Sequence, residues 1–231
     1  MNSFPCVVFD NECTGKSEGE PTKLTFTTWV ENTIGVIDRL TEGPVVLVGT
    51  CLGGWLSLIA AKRIPERLHG LGRQLTSALL SLIISLSVLF SPAINYVMSH
   101  YNKHKDTLPP HVKAKLEAGD IHVHTHEFGD YMLKKDFAED SLKYEINLDD
   151  VLDINCPVRS VMITQVRVGW ISAFSCRIIH CLNDLQVDPN QSLKLGKALQ
   201  SSDVDLIFRK NSGHIVHEPH DLELFLVTLD R

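Results

Sequence analysis

Gly49-Thr50-Cys51-Leu52-Gly53 places a thiol midway between two glycines, behind the apolar run VVLVG and ahead of WLSLIAAKR. A glycine–x–nucleophile–x–glycine turn between a strand and a helix strains its central residue and presents that side chain above the strand ends. Gly49 and Gly53 are expected to be required, because a Cβ at either would meet the neighbouring strand or helix. At a helix N-terminus the dipole and the free N–H groups favour a thiolate. The N–H of Leu52 then points to where an oxyanion would form. The chemistry on offer is attack on an acyl carbonyl. The competing reading is plainer: glycines around a small cysteine that only let a strand pack closely on a helix.

Nucleophilic chemistry needs a base and an acid, in this fold in the chain order nucleophile, acid, histidine. DVDLIFRKNSGHIVHEP supplies the histidine: VDLIF reads as a strand, and Ser212-Gly213-His214 follows on a short loop. His214 at a strand's C-terminal end can face the turn, with His217 and His220 as neighbouring alternatives. RIIHCLNDLQVDP supplies the acid, Asp184 being favoured over Asp188. That acid would hold the histidine tautomer and stabilise the imidazolium. His122, His124 and His126 alternate in IHVHTHE and share one strand face. No cysteine or carboxylate cluster accompanies them, so an exposed strand is preferred to a metal site.

The elements that must carry these residues alternate. CVVFD (6–10) reads as a strand, TFTTWVENTIGVIDRLTEG as a helix stopped at Gly43-Pro44, VVLVG as a strand buried on both faces, and WLSLIAAKRIPERL as a helix. LHGL (68–71) opens another apolar stretch. Within the charged region 100–150, KAKLEAG and DFAEDSLKY read as helices and IHVHTHEF as a strand. INCPVRSVMI and VDLIF are strands, and QSLKLGKALQ and the final EPHDLELFLVTLD helices. The alternation predicts an α/β fold with a largely parallel sheet in one domain.

The 231 residues carry a formal charge of −6, which lends no support to nucleic-acid binding. Six cysteines without CxxC or zinc-finger spacing read as reduced thiols. No signal or transit peptide is recognisable at the start. Residues 74–99 hold no charged side chain and on length alone are a membrane-span candidate, which their six serines and Pro92 weaken.

VVFDNECTGKSEG, LVGTCLGGWLSLIAAKRIPERL, EFGDYMLKKDFAEDS, NCPVR, RIIHCLNDLQV and SSDVDLIFRKNSGH together resemble the α/β-hydrolase superfamily. More narrowly, they are similar to its mitochondrial branch of palmitoyl-protein thioesterases, whose members also hydrolyse acyl-glucuronides. The resemblance implies an α/β-hydrolase fold with a cap-like middle segment about 100–150, and a triad of Cys51, Asp184 and His214. It also implies hydrolysis of S-acylated proteins or small acyl esters, no cofactor or metal, and a mitochondrial location.

Three departures qualify it. The family's nucleophile is normally serine, although dienelactone hydrolases use a cysteine at the same turn. The chain is expected to open on an internal family strand, without the earlier strands and the loop that gives a second oxyanion donor. Residues 72–90 and 160–176 have no counterpart and read as insertions, of the kind translated intron sequence would leave. Two other functions follow from these features: an impaired relative acting as a binding module, and a membrane-anchored protein resting on 74–99.

Overall fold

The computed structural model describes residues 5–43, 45–64, 86–126, 129–154, 175–201, 203–210, 213–214 and 219–229. They form two compact units, residues 1–41 with 95–146 and residues 42–94 with 147–231. Of the segment read as cap-like, residues 100–146 fall in the first of these and 147–150 in the second.

The second unit is built on a four-stranded parallel sheet. Its strands are β1 (Leu47–Thr50), β2 (Leu86–Phe90), β5 (Ser175–Cys181) and β6 (Asp203–Arg209), adjacent in that order. One row of the register runs Val48, Val88, Arg177, Asp205. Parallel strands need long crossovers, and α6 (Pro189–Ala198) supplies the one from β5 to β6. Val88, Leu89, Phe90, Cys176, Ile178 and Ile179 are buried. Burial on both faces is the pattern of such central strands; β1 departs from it and from the expectation for VVLVG, burying Leu47 and Gly49 while Val46 and Val48 are exposed. Helix α2 (Leu52–Arg63) buries every residue from Gly54 to Ala61, the pattern of a helix enclosed on all sides. α7 (Pro219–Leu229) closes the described chain.

The first unit holds α1 (Phe26–Leu40), α3 (Tyr96–Thr107), α4 (Pro110–Glu117), the antiparallel hairpin β3 (His122–His126) with β4 (Gly129–Leu133), and α5 (Lys135–Ser141). Thr25 caps α1: its Oγ1 accepts from the Thr28 N–H at 3.2 Å, while the Thr25 N–H donates to Thr28 Oγ1. Phe26 packs edge-on against Phe137. Two buried charges tie the start of α1 and the loop before it to the hairpin's end and α5. Lys134 Nζ donates to the carbonyls of Thr22 and Leu24, and Asp140 Oδ2 accepts from the Thr27 N–H.

Several expectations change. CVVFD is no strand: residues 6–10 pair with no described strand, and Val8 is 89% exposed. β propensity without a ladder partner does not make a strand. Asp10 instead organises a loop, its carboxylate accepting from the Lys16 N–H and its carbonyl from the Ser17 hydroxyl. α3 and β4 are elements the sequence reading did not place. β2 comes from LSVLF, the last five residues of the 72–90 stretch read as inserted. LHGL, residues 72–85, 155–163 of INCPVRSVMI and residues 160–174 lie outside the described residues. Among the described residues no helix is long and apolar enough to cross a membrane.

Candidate active site

Cys51 sits between β1 and α2 with φ 53° and ψ −120°, a region that costs a non-glycine residue of the order of 1–3 kcal/mol. Hydrogen bonds to the end of β2, the loop after it and the first turn of α2 hold it there. The Cys51 N–H donates to the Phe90 carbonyl, and the Cys51 carbonyl accepts from the N–H groups of Gly54 and Ala93, each at 3.0 Å. The strain is therefore over-determined by the neighbouring strand. Leu52 opens α2, so its N–H has no carbonyl four residues back within the helix and is available beside the sulfur.

The glycines divide differently from expectation. A Cβ on Gly49 would lie 2.3 Å from the Gly53 carbonyl oxygen, so Gly49 is required. A Cβ on Gly53 would meet nothing within 4 Å. The second necessary glycine is Gly54, whose Cβ would lie 2.8 Å from Cβ and 3.0 Å from Cα of Pro92. What must approach closely here is the proline after β2, one position further along than the spacing suggests.

The structure brings Asp184 and His214 together. His214 Nδ1 donates to Asp184 Oδ2 at 2.7 Å, with both residues buried. Asp184 Oδ1 accepts from the N–H groups of Gln186 and Val187, an Asx turn that fixes the carboxylate. Burial alone would raise the Asp184 pKa. Hydrogen bonds from His180, His214 and those two backbone groups outweigh it and hold the group ionised, well below the usual carboxylate range.

Burial would likewise lower the His214 pKa, but the Asp184 carboxylate and the sulfur of Cys51 together push it up to about 9. His214 Nε2 is buried and forms no well-aligned hydrogen bond, and the Cys51 sulfur is the group besides Asp184 that acts on the ring. Apo sites commonly show such loose contacts, which tighten when substrate is bound.

The remaining candidates lie elsewhere. Asp188 caps α6, its Oδ1 accepting from the Asn190 N–H. His220 is on α7 with Nε2 3.4 Å from Asp221 Oδ1. His217 and Ser212 are outside the described residues. His124 packs on His104 and Tyr131 with ring centroids 4.8 and 5.0 Å away. No group of three metal-ligating side chains occurs among the described residues. The five described cysteines are free.

One residue at the site escaped the sequence reading. His180, the sixth residue of β5 and 1% exposed, places Nε2 3.3 Å from Asp184 Oδ2. The signal was present: a polar side chain at the end of the apolar strand RIIHC, four residues before the acid.

A model of the alpha/beta hydrolase family matches residues 2–226. The chain is similar to palmitoyl-protein thioesterase ABHD10, mitochondrial, of Homo sapiens, with 26% identity over 97% of this chain and 62% of the relative. The Mus musculus protein of that name shows 27% identity over 96% of this chain and 63% of the relative. The chain thus spans a little under two thirds of the length of the curated relatives it matches. Among solved structures, mouse alpha/beta hydrolase domain-containing protein 10 superposes with a TM-score of 0.67 and 24% identity, over 96% of this chain and 74% of that one. A hydrolase from Agrobacterium vitis S4 gives 0.68 and 20%, over 96% and 73%. Both share the fold.

Proposed function

The chain belongs to the alpha/beta hydrolase family, and on that footing we propose that it cleaves acyl esters or thioesters with Cys51 as nucleophile, His214 as acid–base and Asp184 as the orienting acid. The observation that carries the reading is the strained Cys51 elbow beside a His214 that Asp184 holds from behind. With its pKa pushed up to about 9, His214 takes the thiol proton of Cys51 and keeps it as an imidazolium while the sulfur attacks the substrate carbonyl, and the Leu52 N–H takes the oxyanion. His214 then protonates the departing alcohol or thiol, leaving an acyl thioester on Cys51. The neutral ring next accepts a proton from water, hydroxide attacks the thioester, and collapse releases the carboxylic acid and the sulfur. None of these steps calls on a metal or cofactor.

The relatives named palmitoyl-protein thioesterase, mitochondrial, support S-acylated proteins as the substrate class and the mitochondrion as the location; small acyl esters such as acyl-glucuronides are added by the family resemblance alone. The test is steady-state hydrolysis of p-nitrophenyl esters and an acyl thioester by the wild type, Cys51→Ser and Cys51→Ala. Turnover by the wild type that Cys51→Ala abolishes is expected. If neither the wild type nor Cys51→Ser turns over any ester or thioester, the binding-module reading replaces this one.

A further inference from the structure

We propose that His180 is a positioning residue that fixes the Asp184 carboxylate for His214, and that Ser192 fixes His180 in turn. The inference rests on the hydrolase reading above and extends it by one further residue pair. His180 Nε2 lies 3.1 Å from the Val187 carbonyl oxygen, which can only accept, so Nε2 carries the proton. The same N–H faces Asp184 Oδ2 at 3.3 Å and is shared between the two acceptors. Nδ1, left as the acceptor, meets the Ser192 hydroxyl at 2.6 Å. Ser192 is fully buried on α6, so the ring is clamped from both edges.

The chemistry explains why such a clamp matters. An ionised carboxylate has about four acceptor directions, and the side chains of Asp184 and His180 have no exposure at all. Water cannot fill a vacant direction there, so each must be met by the protein. The N–H groups of Gln186 and Val187 serve Oδ1. Oδ2, the atom that orients His214, has His214 and His180. Without His180, Oδ2 loses the donor that aims it from the strand side.

The test is a double-mutant cycle in kcat between His180→Leu and Asp184→Asn, with KM and thermal unfolding followed for each variant. Loss of a hydrogen bond to a charged group predicts a fall in kcat of about ten- to a hundredfold for His180→Leu in the wild-type background. In the Asp184→Asn background the fall should be less than about threefold, because a residue acting through Asp184 has nothing left to act on. His180→Gln, whose amide can donate from nearly the same place as Nε2, should recover most of the rate, and Ser192→Ala should lose a few-fold. Equal losses in both backgrounds, or none in either, overturn the proposal.

A second readout is independent of turnover: the titration of the His214 ring followed by NMR. In His180→Leu, or in Ser192→Ala if the former does not fold, the midpoint should fall from about 9 toward the ordinary histidine value. A midpoint that stays or rises overturns the positioning role. A wild type inert toward every ester and thioester, yet showing this shift, overturns the hydrolase reading and leaves the positioning intact.

Discussion

Asp184 and Asp188 are four residues apart on one loop, and their oxygens do different work. Asp184 Oδ2 accepts from His214, while Asp188 Oδ1 accepts from the first turn of α6. Asp184→Asn should therefore cost on the order of 10⁴ in kcat, the loss a wrong imidazole tautomer causes in serine proteases. Asp188→Ala should leave kcat nearly unchanged and lower stability by about 0.5–2 kcal/mol, as the loss of an N-cap does. Rates and urea midpoints of the two variants check both halves. The pair also gives a pH dependence. His214 is raised above its unfolded value, so its contribution to stability is complete below about pH 6.5 and is lost as pH rises through about 9. Asp184 is depressed, so its contribution is present above the ordinary carboxylate range and is lost as pH falls below it. Urea midpoints measured from pH 6 to 10 should decline across the upper window in the wild type and stay flatter in His214→Gln. Residue type, spacing and chain order are what single out Cys51, Asp184 and His214 in the sequence. His180 offers only a polar residue in an apolar strand, and nothing local shows that its partner is the same carboxylate.

At the scale of elements, the turn around Cys51 depends on what each glycine faces. Gly53→Ala should fold and turn over like the wild type. Open space surrounds the new Cβ, and alanine in a helix is favoured over glycine by about 1 kcal/mol. Gly49→Ala drives a Cβ into the backbone of Gly53, and Gly54→Ala drives one against Pro92. Both should lower the melting temperature and the rate together, Gly49→Ala the more, since backbone cannot move aside as a side-chain atom can. A Gly53→Ala form as damaged as Gly49→Ala would contradict this geometry. Other elements were legible where burial leaves a pattern. α1 buries a stripe and β1 alternate residues, while α2 and β5 stand out as long apolar runs. α3 buries only Val97 and Tyr101 among polar and charged neighbours, too thin a period to stand out. CVVFD shows the converse: strong β propensity with no described strand to pair with.

Over the whole molecule, what the sequence could not supply is the origin of the second strand of the sheet. LHGL and LSVLF are both apolar runs of strand length, and only tertiary pairing chooses between them. In the structure Leu86–Phe90 lies between β1 and β5, with Val88 and Leu89 fully buried. The route from Ile64, after α2, to Leu86 passes through residues 65–85, whereas helix-to-strand connections in such units usually take about 2–6 residues. Removing 72–85 would still leave residues 65–71 to make that connection. This deletion should keep one cooperative unfolding transition and measurable hydrolysis. Removing 72–90 also takes away Val88, Leu89 and Phe90. Burying such side chains stabilises by about 1.5–3 kcal/mol each, or roughly 5–9 together, before the loss of two ladders is counted. Set against a typical net stability of about 5–15 kcal/mol, that loss should leave no folded protein. Circular dichroism melts and thioester hydrolysis of the two deletions separate the alternatives. If the 72–90 deletion folds and turns over, LHGL has taken the strand position and the whole stretch is an insertion the site does not need. If only the 72–85 deletion does, LSVLF is the strand that supports Cys51 through the Phe90 carbonyl.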